Sequence, residues 1–356
     1  MFFLGKRIKH LGNFDPNPHR IAGIDLARSI AIFGMIIVNF SASSEFENPE
    51  PLWISMFLNA IEGRAAATFI VVAGIGIALM KNKTQKTGDS SGILQLKKNL
   101  LKRALFLFAV GLSYTKLWPP DILHFYGVFL PLGILFLQAS NRKLLAGIFF
   151  FILAFPVLSF FLDYDQGWDY ECMAYTDFWS SEGMIRHLFF NGYFPVFPWG
   201  AFLLAGIWLG RQDLNHIRFR RKVLITSMLI LMCSEILSAF LTGRFFIRIL
   251  GEVLWIDFPF LGRGPYPPNP LFILSGGSAA FVAITVCMEL GNRFGSERWI
   301  EPFIAIGQSA LTIYLAHVFA GMAIFEFLEI EEMDQPLTPV LTFGILFYLL
   351  AASASC

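Results

Sequence analysis

The sequence predicts an all-α integral membrane protein, a polytopic helical bundle of about ten transmembrane helices with both termini cytoplasmic. Composition is the first reason: 56% of the 356 residues are hydrophobic and 15% charged, where soluble chains average about 45 to 50% apolar and about 25% charged. Mean hydropathy is +0.61. The second reason is that the apolar residues gather in stretches near the roughly 20 residues that cross a ~30 Å hydrocarbon core. The third is the distribution of the basic residues along the chain. A net charge of +1 creates no single-sign field, so nucleic acid is not an expected partner. The expected surroundings are a lipid bilayer.

Ten stretches can be drawn in order: Ile21 to Phe40, Ala65 to Met80, Leu100 to Tyr114, Ile122 to Gln138, Leu144 to Leu162, Phe194 to Leu209, Val223 to Leu241, Pro270 to Leu290, Phe303 to Phe325 and Leu337 to Ala352. The second is short, and the preceding Leu52 to Ile61 either packs as a separate turn or extends the helix. Backbone groups in lipid have no water to bond, so these stretches are expected as helices; none alternates with period two. Lys81 to Leu96 is polar and Gly/Ser-containing, and reads as a flexible loop. Residues 1–20 read as a cytoplasmic segment and residues 21–356 as one transmembrane domain.

Lys and Arg concentrate in short cytoplasmic loops. With the N-terminus inside, inside segments hold 20 of the 27 basic residues and outside segments hold 5. Acids gather outside, around Glu45 to Glu50, Asp163 to Glu182 and Glu326 to Asp334. A multi-pass protein of the plasma or inner membrane is expected. Met1 to His10 has too short an apolar run for a cleavable signal, and no small-residue cleavage site follows the first span. Only Cys172 falls outside, so no disulfide framework is expected. No zinc spacing such as CxxC occurs, and no metal is expected.

An ionisable group inside a span costs at least about 2.5 kcal/mol on insertion scales and is by default a functional candidate. Asp25 and Arg28 stand i, i+3 on the first helix, where opposite charges pair. Asn39 lies on the same stripe, since eleven residues at ~100° each fall about 20° from three full turns. The pair suits either a structural salt bridge or a binding role near the inside mouth. Glu62 and Arg64 open the second span from outside, as snorkelling side chains or as part of a site. Asp121 follows two prolines at the start of the fourth span, with His124 one turn later, close enough for the carboxylate to orient the imidazole. In the ninth span Gln308 and Thr312 are expected on one helix face and Tyr314 and His317 on another, as interhelical hydrogen bonders or as site residues. Glu235 has no partner in its own span; it is either protonated or paired across the bundle. Arg263 lies in a proline-rich outside loop before the eighth span, where Asn269 and Pro270 read as helix cap and first turn. Asn39, Glu62, Arg64, Asp121 and His124 thus fall at the outer end, with Asp25 and Arg28 at the inner one.

The first-span pattern Arg20, Gly23, Ile24, Asp25, Leu26, Ala27, Arg28, then Gly34 to Asn39, resembles the opening helix of the heparan-alpha-glucosaminide N-acetyltransferase-like transmembrane acyltransferases, and most their YeiB-type branch. Gly63 to Leu79, Pro198 to Gly210, Gly307 to His317 and the "PPNPLFILSGG" segment are similar to the same group. The resemblance implies an acyl-CoA donor, acetyl-CoA in particular, entering from the cytoplasm. It implies transfer within the membrane to an amine or hydroxyl of an extracytoplasmic sugar. The catalytic histidine of the characterised acetyltransferase follows the first helix of its catalytic domain, and Asn39 to Glu62 here holds no histidine. The catalytic role is therefore placed on His124 by topology, with Asp121 orienting it and Asn39 or Gln308 donating to an oxyanion. Asp25, Arg28, Arg64 and Gln308 are expected to hold the donor, and Glu62, Arg263 and His317 the acceptor. A homodimer is compatible with this reading. The competing reading is a proton-coupled transporter relaying through Asp25, Glu62, Glu235 and His317, although no internal repeat is visible. A scaffold would carry the intramembrane charges at a cost without a use.

Overall fold

The structure is a computed structural model that describes residues 21–43, 51–86, 90–170, 174–242, 245–249, 252–256, 262, 264–328 and 338–354. The N-terminal segment, the acidic stretch at 45–50, Cys172 and Arg263 lie outside the described residues. Helix dominates, as a chain that buries its backbone in lipid requires. The helices are α1 (Ala22–Ala42), α2 (Leu52–Ile61), α3 (Arg64–Lys86), α4 (Ser90–Ser113), α5 (Leu123–Phe136), α6 (Asn141–Phe161), α7 (Ser181–Arg186) and α8 (Val196–Leu209). They continue with α9 (Ile217–Thr242), α10 (Pro270–Phe294), α11 (Glu301–Gln308), α12 (Ala310–Ala316), α13 (Met322–Phe327) and α14 (Thr338–Ala354). Two antiparallel strand pairs sit between helices: β1 (Trp168–Asp169) with β2 (Ala174–Tyr175), and β3 (Phe245–Ile249) with β4 (Glu252–Ile256).

Every one of the ten apolar stretches falls on a helix or a bent series of helices. Among the described residues, five helical segments can cross a membrane by length and composition, and up to seven if each of two bent pairs counts as one span. The five are α1, Leu52–Gln85 (α2 with α3), α6, α9 and α10. Helix α4 is long, but Lys97, Lys98, Lys102 and Arg103 occupy its middle; α5 and α14 are apolar but short.

The bundle has a buried centre and a lipid-type rim. In α1, 72% of the 18-residue apolar window is buried, against 22% in α6 and α9. Helix α1 packs on α3, α10, α11 and α14, and α8 on α3, α5 and α6. Those contacts are close because small residues face them: a Cβ on Gly307 would run into the Asp25 backbone, so α11 lies directly on α1. Phe149, Phe160 and Phe161 on α6 and Ile225, Met232 and Phe240 on α9 are exposed, which suits acyl chains as surroundings.

Three interruptions shape the interior. Gly63, at φ +67, turns the chain between α2 and α3, a backbone state that glycine adopts without Cβ strain. The ninth stretch breaks between α11 and α12 with an 82° bend at Ser309. Consequently Gln308 and Thr312 do not share a helix face, contrary to the expectation from a continuous i, i+4 spacing. Finally, among the described residues two π-helical turns, His187–Asn191 and His317–Gly321, each begin at a buried histidine. Such turns are frequent at functional sites.

Candidate functional site

A cavity of about 390 Å³ opens where the C-terminal end of α1, the α2–α3 turn, the α4–α5 turn and the segment before α8 converge. That volume is within the small-molecule range of roughly 300 to 1,000 Å³. Asn39, Glu62 and Tyr314 supply polar groups to its wall, and Trp118, Tyr193 and Phe194 supply aromatic ones. The Glu62 carboxylate has no hydrogen-bond partner among the described residues.

Behind the wall lies a buried polar network centred on Asp121. Proline at 119 and 120 holds the approach to α5 out of helix, so the Asp121 carboxylate can cap the helix start: Oδ2 accepts from the His124 backbone N–H at 2.9 Å. The same oxygen lies 2.9 Å from His124 Nδ1. Oδ1 accepts from the Tyr114 hydroxyl and, at 3.3 Å, from the Tyr314 hydroxyl. Four donors converge on one carboxylate, the arrangement that holds it ionised in a dry site. Tyr314 in turn accepts the Ile122 N–H at 3.3 Å. Asp121 and His124 are both fully buried, and neither lines the cavity. The group that reaches the cavity from this network is Tyr314.

His124 Nε2 is buried without a partner. Its ring stacks on His187 with centroids 5.6 Å apart, and His187 Nδ1 is also unpartnered. Tyr175 and Phe178 pack edge-on against His187. Burial raises the Tyr175 phenol above its ordinary pKa, against the opposing effect of Arg186, so a neutral ring faces the imidazole.

A second polar contact joins α1 to the π-turn. Asn39 Nδ2 donates to His317 Nε2 at 2.9 Å, which places the imidazole proton on Nδ1, where it donates to the Tyr314 carbonyl. His317 thereby fixes the Asn39 amide at the cavity wall and leaves its second N–H available.

The remaining charges are engaged elsewhere. Arg28 pairs with Asp25 at 2.6 Å and donates to the Gly307 carbonyl at 2.9 Å, where α11 ends beside Gln308. One Asp25 oxygen is buried and unpartnered. Asp25 and Asn39 stand 14 residues apart on α1, about 21 Å at 1.5 Å per residue, so the polar groups do occupy two ends. Arg64 pairs with Glu235 and donates to Ser275 at 2.8 Å and to the Asn59 and Ala60 carbonyls at 3.2 and 3.0 Å. Ser275 donates to Glu235 at 2.6 Å, so Glu235 is paired across the bundle. Arg64 does not line the cavity.

Sequence reading missed Tyr114, Tyr314 and His187 as members of one cluster. Tyr314 carried a weak signal, one turn before His317 on α12. The other two carried none, because their positions depend on the α4–α5 and α7–α8 packing. No group of three or more His, Cys, Asp or Glu side chains suited to a metal occurs among the described residues.

Fold and site together define a multi-pass helical membrane protein with a largely apolar cavity carrying a few polar side chains at one end of its bundle and a partly buried charge pair at the other. Residues 20–242 match the family model described as heparan-alpha-glucosaminide N-acetyltransferase, catalytic, and the chain belongs to that family. No individually curated protein matches the chain. The matched segment contains α1 to α9 and so Asp121 and His124, whereas Tyr314 and His317 come from beyond it.

Proposed function

We propose that the protein is a membrane acetyltransferase. It moves an acetyl group from acetyl-CoA, offered at the Asp25–Arg28 end, to an amine or hydroxyl of a sugar held in the Asn39 cavity. The observation that carries this reading is Tyr314, a residue that lines the cavity and whose hydroxyl bonds the four-donor carboxylate of Asp121. When the acceptor attacks the thioester carbonyl, Tyr314 takes the acceptor's proton and passes its own to Asp121, which the ring N–H of His124 holds in place. Asn39, oriented by His317, donates its free N–H to the developing oxyanion. Glu62 accepts from a hydroxyl or amine of the sugar, and the aromatic wall packs on the ring. The thiolate leaves with the donor's long arm, which covers the interval along α1.

In this reading His124 is a positioning residue rather than the base that contacts the acceptor, and His317 positions Asn39 rather than substrate. Arg28 meets the anionic donor, with Gln308 beside it, while Arg64 holds α2, α3, α9 and α10 together. The ten-helix crossing with both termini cytoplasmic belongs to the same proposal, as do the plasma or inner membrane and the sugar acceptor. The family supports acetyl transfer, and the basic loops support the orientation.

The break between α11 and α12 favours a second reading, since transporters often use discontinuous helices. Here, however, Arg28 satisfies the carbonyl freed at the break, and Asp25 and Glu235 are held in ion pairs. Incubating purified protein with radiolabelled acetyl-CoA and glucosamine should yield labelled acetylglucosamine. No label transfer to any amino sugar or envelope glycan, together with counterflow of intact sugar in proteoliposomes, would replace the enzyme by a transporter.

A further inference from the structure

A second concavity of about 310 Å³ lies on the lipid-type rim, between the start of α9 and the end of α10. Three guanidinium groups, Arg220, Arg221 and Arg293, and one carboxylate, Glu289, share it. Glu289 bridges two of them, accepting from Arg220 at 2.8 Å and from Arg293 Nε at 2.7 Å. Arg221 is exposed and has no partner among the described residues. Arg220 is 7% exposed, and its buried Nε is unpartnered. The concavity therefore holds a charge excess of two, set in an apolar wall that includes Ile217, Leu224, Val286 and Phe294.

This chemistry is amphipathic. A soluble anion would use the guanidinium groups but leave the apolar wall in contact with lipid tails or water. A neutral lipid would cover the wall and leave the charge excess uncompensated. The wall continues into the row of exposed apolar side chains on α9, Ile225, Leu229, Met232 and Ile236, which runs from the basic end into the hydrocarbon level. The face of α10 toward α1 is a different one, where Gly23 lies against the Met288 backbone. The groove is thus separate from the interior cavity.

We propose that this groove binds the headgroup phosphate of an anionic phospholipid, with its acyl chains laid along α9. The inference does not depend on the acetyl-transfer reading. Arg221 and Arg293 meet the phosphate, Arg220 anchors Glu289 beneath it, and Glu289 sets how much positive charge remains. Each basic side chain near an anionic membrane surface strengthens association by about fivefold, so removing two predicts a loss of about 25-fold.

The full-length protein, purified in mild detergent, is titrated with phosphatidylglycerol and, separately, with phosphatidylcholine, and bound lipid is counted by native mass spectrometry. Preferential retention of phosphatidylglycerol is expected, reduced about 25-fold in the Arg221→Gln/Arg293→Gln double variant. Glu289→Gln should shift retention the opposite way. Arg218→Gln/Lys222→Gln removes the same charge from exposed positions of α9 outside the groove and should change retention by less than about twofold. Equal losses in the two double variants, or no preference over phosphatidylcholine, would overturn the site. Displacement of the lipid by glycerol phosphate or coenzyme A at millimolar concentration would also overturn it, because the groove would then be a soluble-phosphate site. A chemically cross-linked dimer through Arg221 that excludes lipid would do the same.

Discussion

Replacing Tyr314 by Phe should separate proton transfer from packing at the Asp121 network. The substitution keeps the ring that packs on His317 at 4.9 Å and removes one oxygen. Asp121 retains the Tyr114 hydroxyl and the backbone N–H and Nδ1 of His124 as donors. The Ile122 N–H loses its 3.3 Å acceptor, and an orphaned buried donor costs about 1 to 3 kcal/mol. A bond that long puts the stability loss near the lower end, about 1 kcal/mol. Loss of a positioned proton-transfer group lowers the rate by typically 10² to 10⁴-fold, or about 2.7 to 5.4 kcal/mol at 1.36 kcal/mol per decade. Activity should therefore fall far more than stability. Tyr114→Phe is the matched control: it removes a donor from the same carboxylate, but Tyr114 does not line the cavity. It should destabilise at least as much and slow transfer by less than about tenfold. The assay is acetyl transfer at saturating donor, with thermal denaturation measured on the same samples. Tyr314→Phe within about threefold of the unsubstituted protein, or Tyr114→Phe losing as much rate, would refute the relay.

Three further outcomes follow from the geometry. Glu235→Leu leaves Arg64 unpaired in the bundle and should cost about 3 kcal/mol in denaturation, the lower end for a buried pair because both side chains keep some exposure; adding Arg64→Met should recover most of it. Gly307→Ala places a methyl against the Asp25 backbone and should destabilise by about 1 to 3 kcal/mol, read as a lowered melting temperature, whereas Gly76→Ala, which meets open space, should change it little. His317→Ala should lower kcat without a matching rise in donor KM, because it frees the Asn39 amide; His317→Gln, which keeps an acceptor, should recover part of the rate.

Legibility of the sequence followed the distance over which each feature is determined. The ten apolar stretches mark where helices lie because hydropathy and backbone satisfaction act locally. They do not mark the break at Ser309, where Gly307, Gln308 and Ser309 read as part of a continuous apolar span. The Asp25–Arg28 and Asp121–His124 pairs were visible because one helical turn brings each together. Arg64 and Glu235 are 171 residues apart, and Asn39 and His317 are 278 apart, so only the packed bundle pairs them. The same holds for Tyr114 and Tyr314 converging on Asp121. Sequence spacing also put His124 at the acceptor, because an outside position near an acid is all that a one-dimensional pattern records. The fold instead buries it behind Tyr314, within an aromatic nest that includes His187.

Vectorial transfer in sealed proteoliposomes of uniform orientation is the most direct test of the two-ended site. Labelled acetyl-CoA is supplied on the side of the basic loops, and glucosamine is enclosed on the other. Labelled acetylglucosamine should form across the membrane, and should not form when donor and acceptor share either side. Product formed with both substrates on one side would contradict a donor at Arg28 and an acceptor at Asn39.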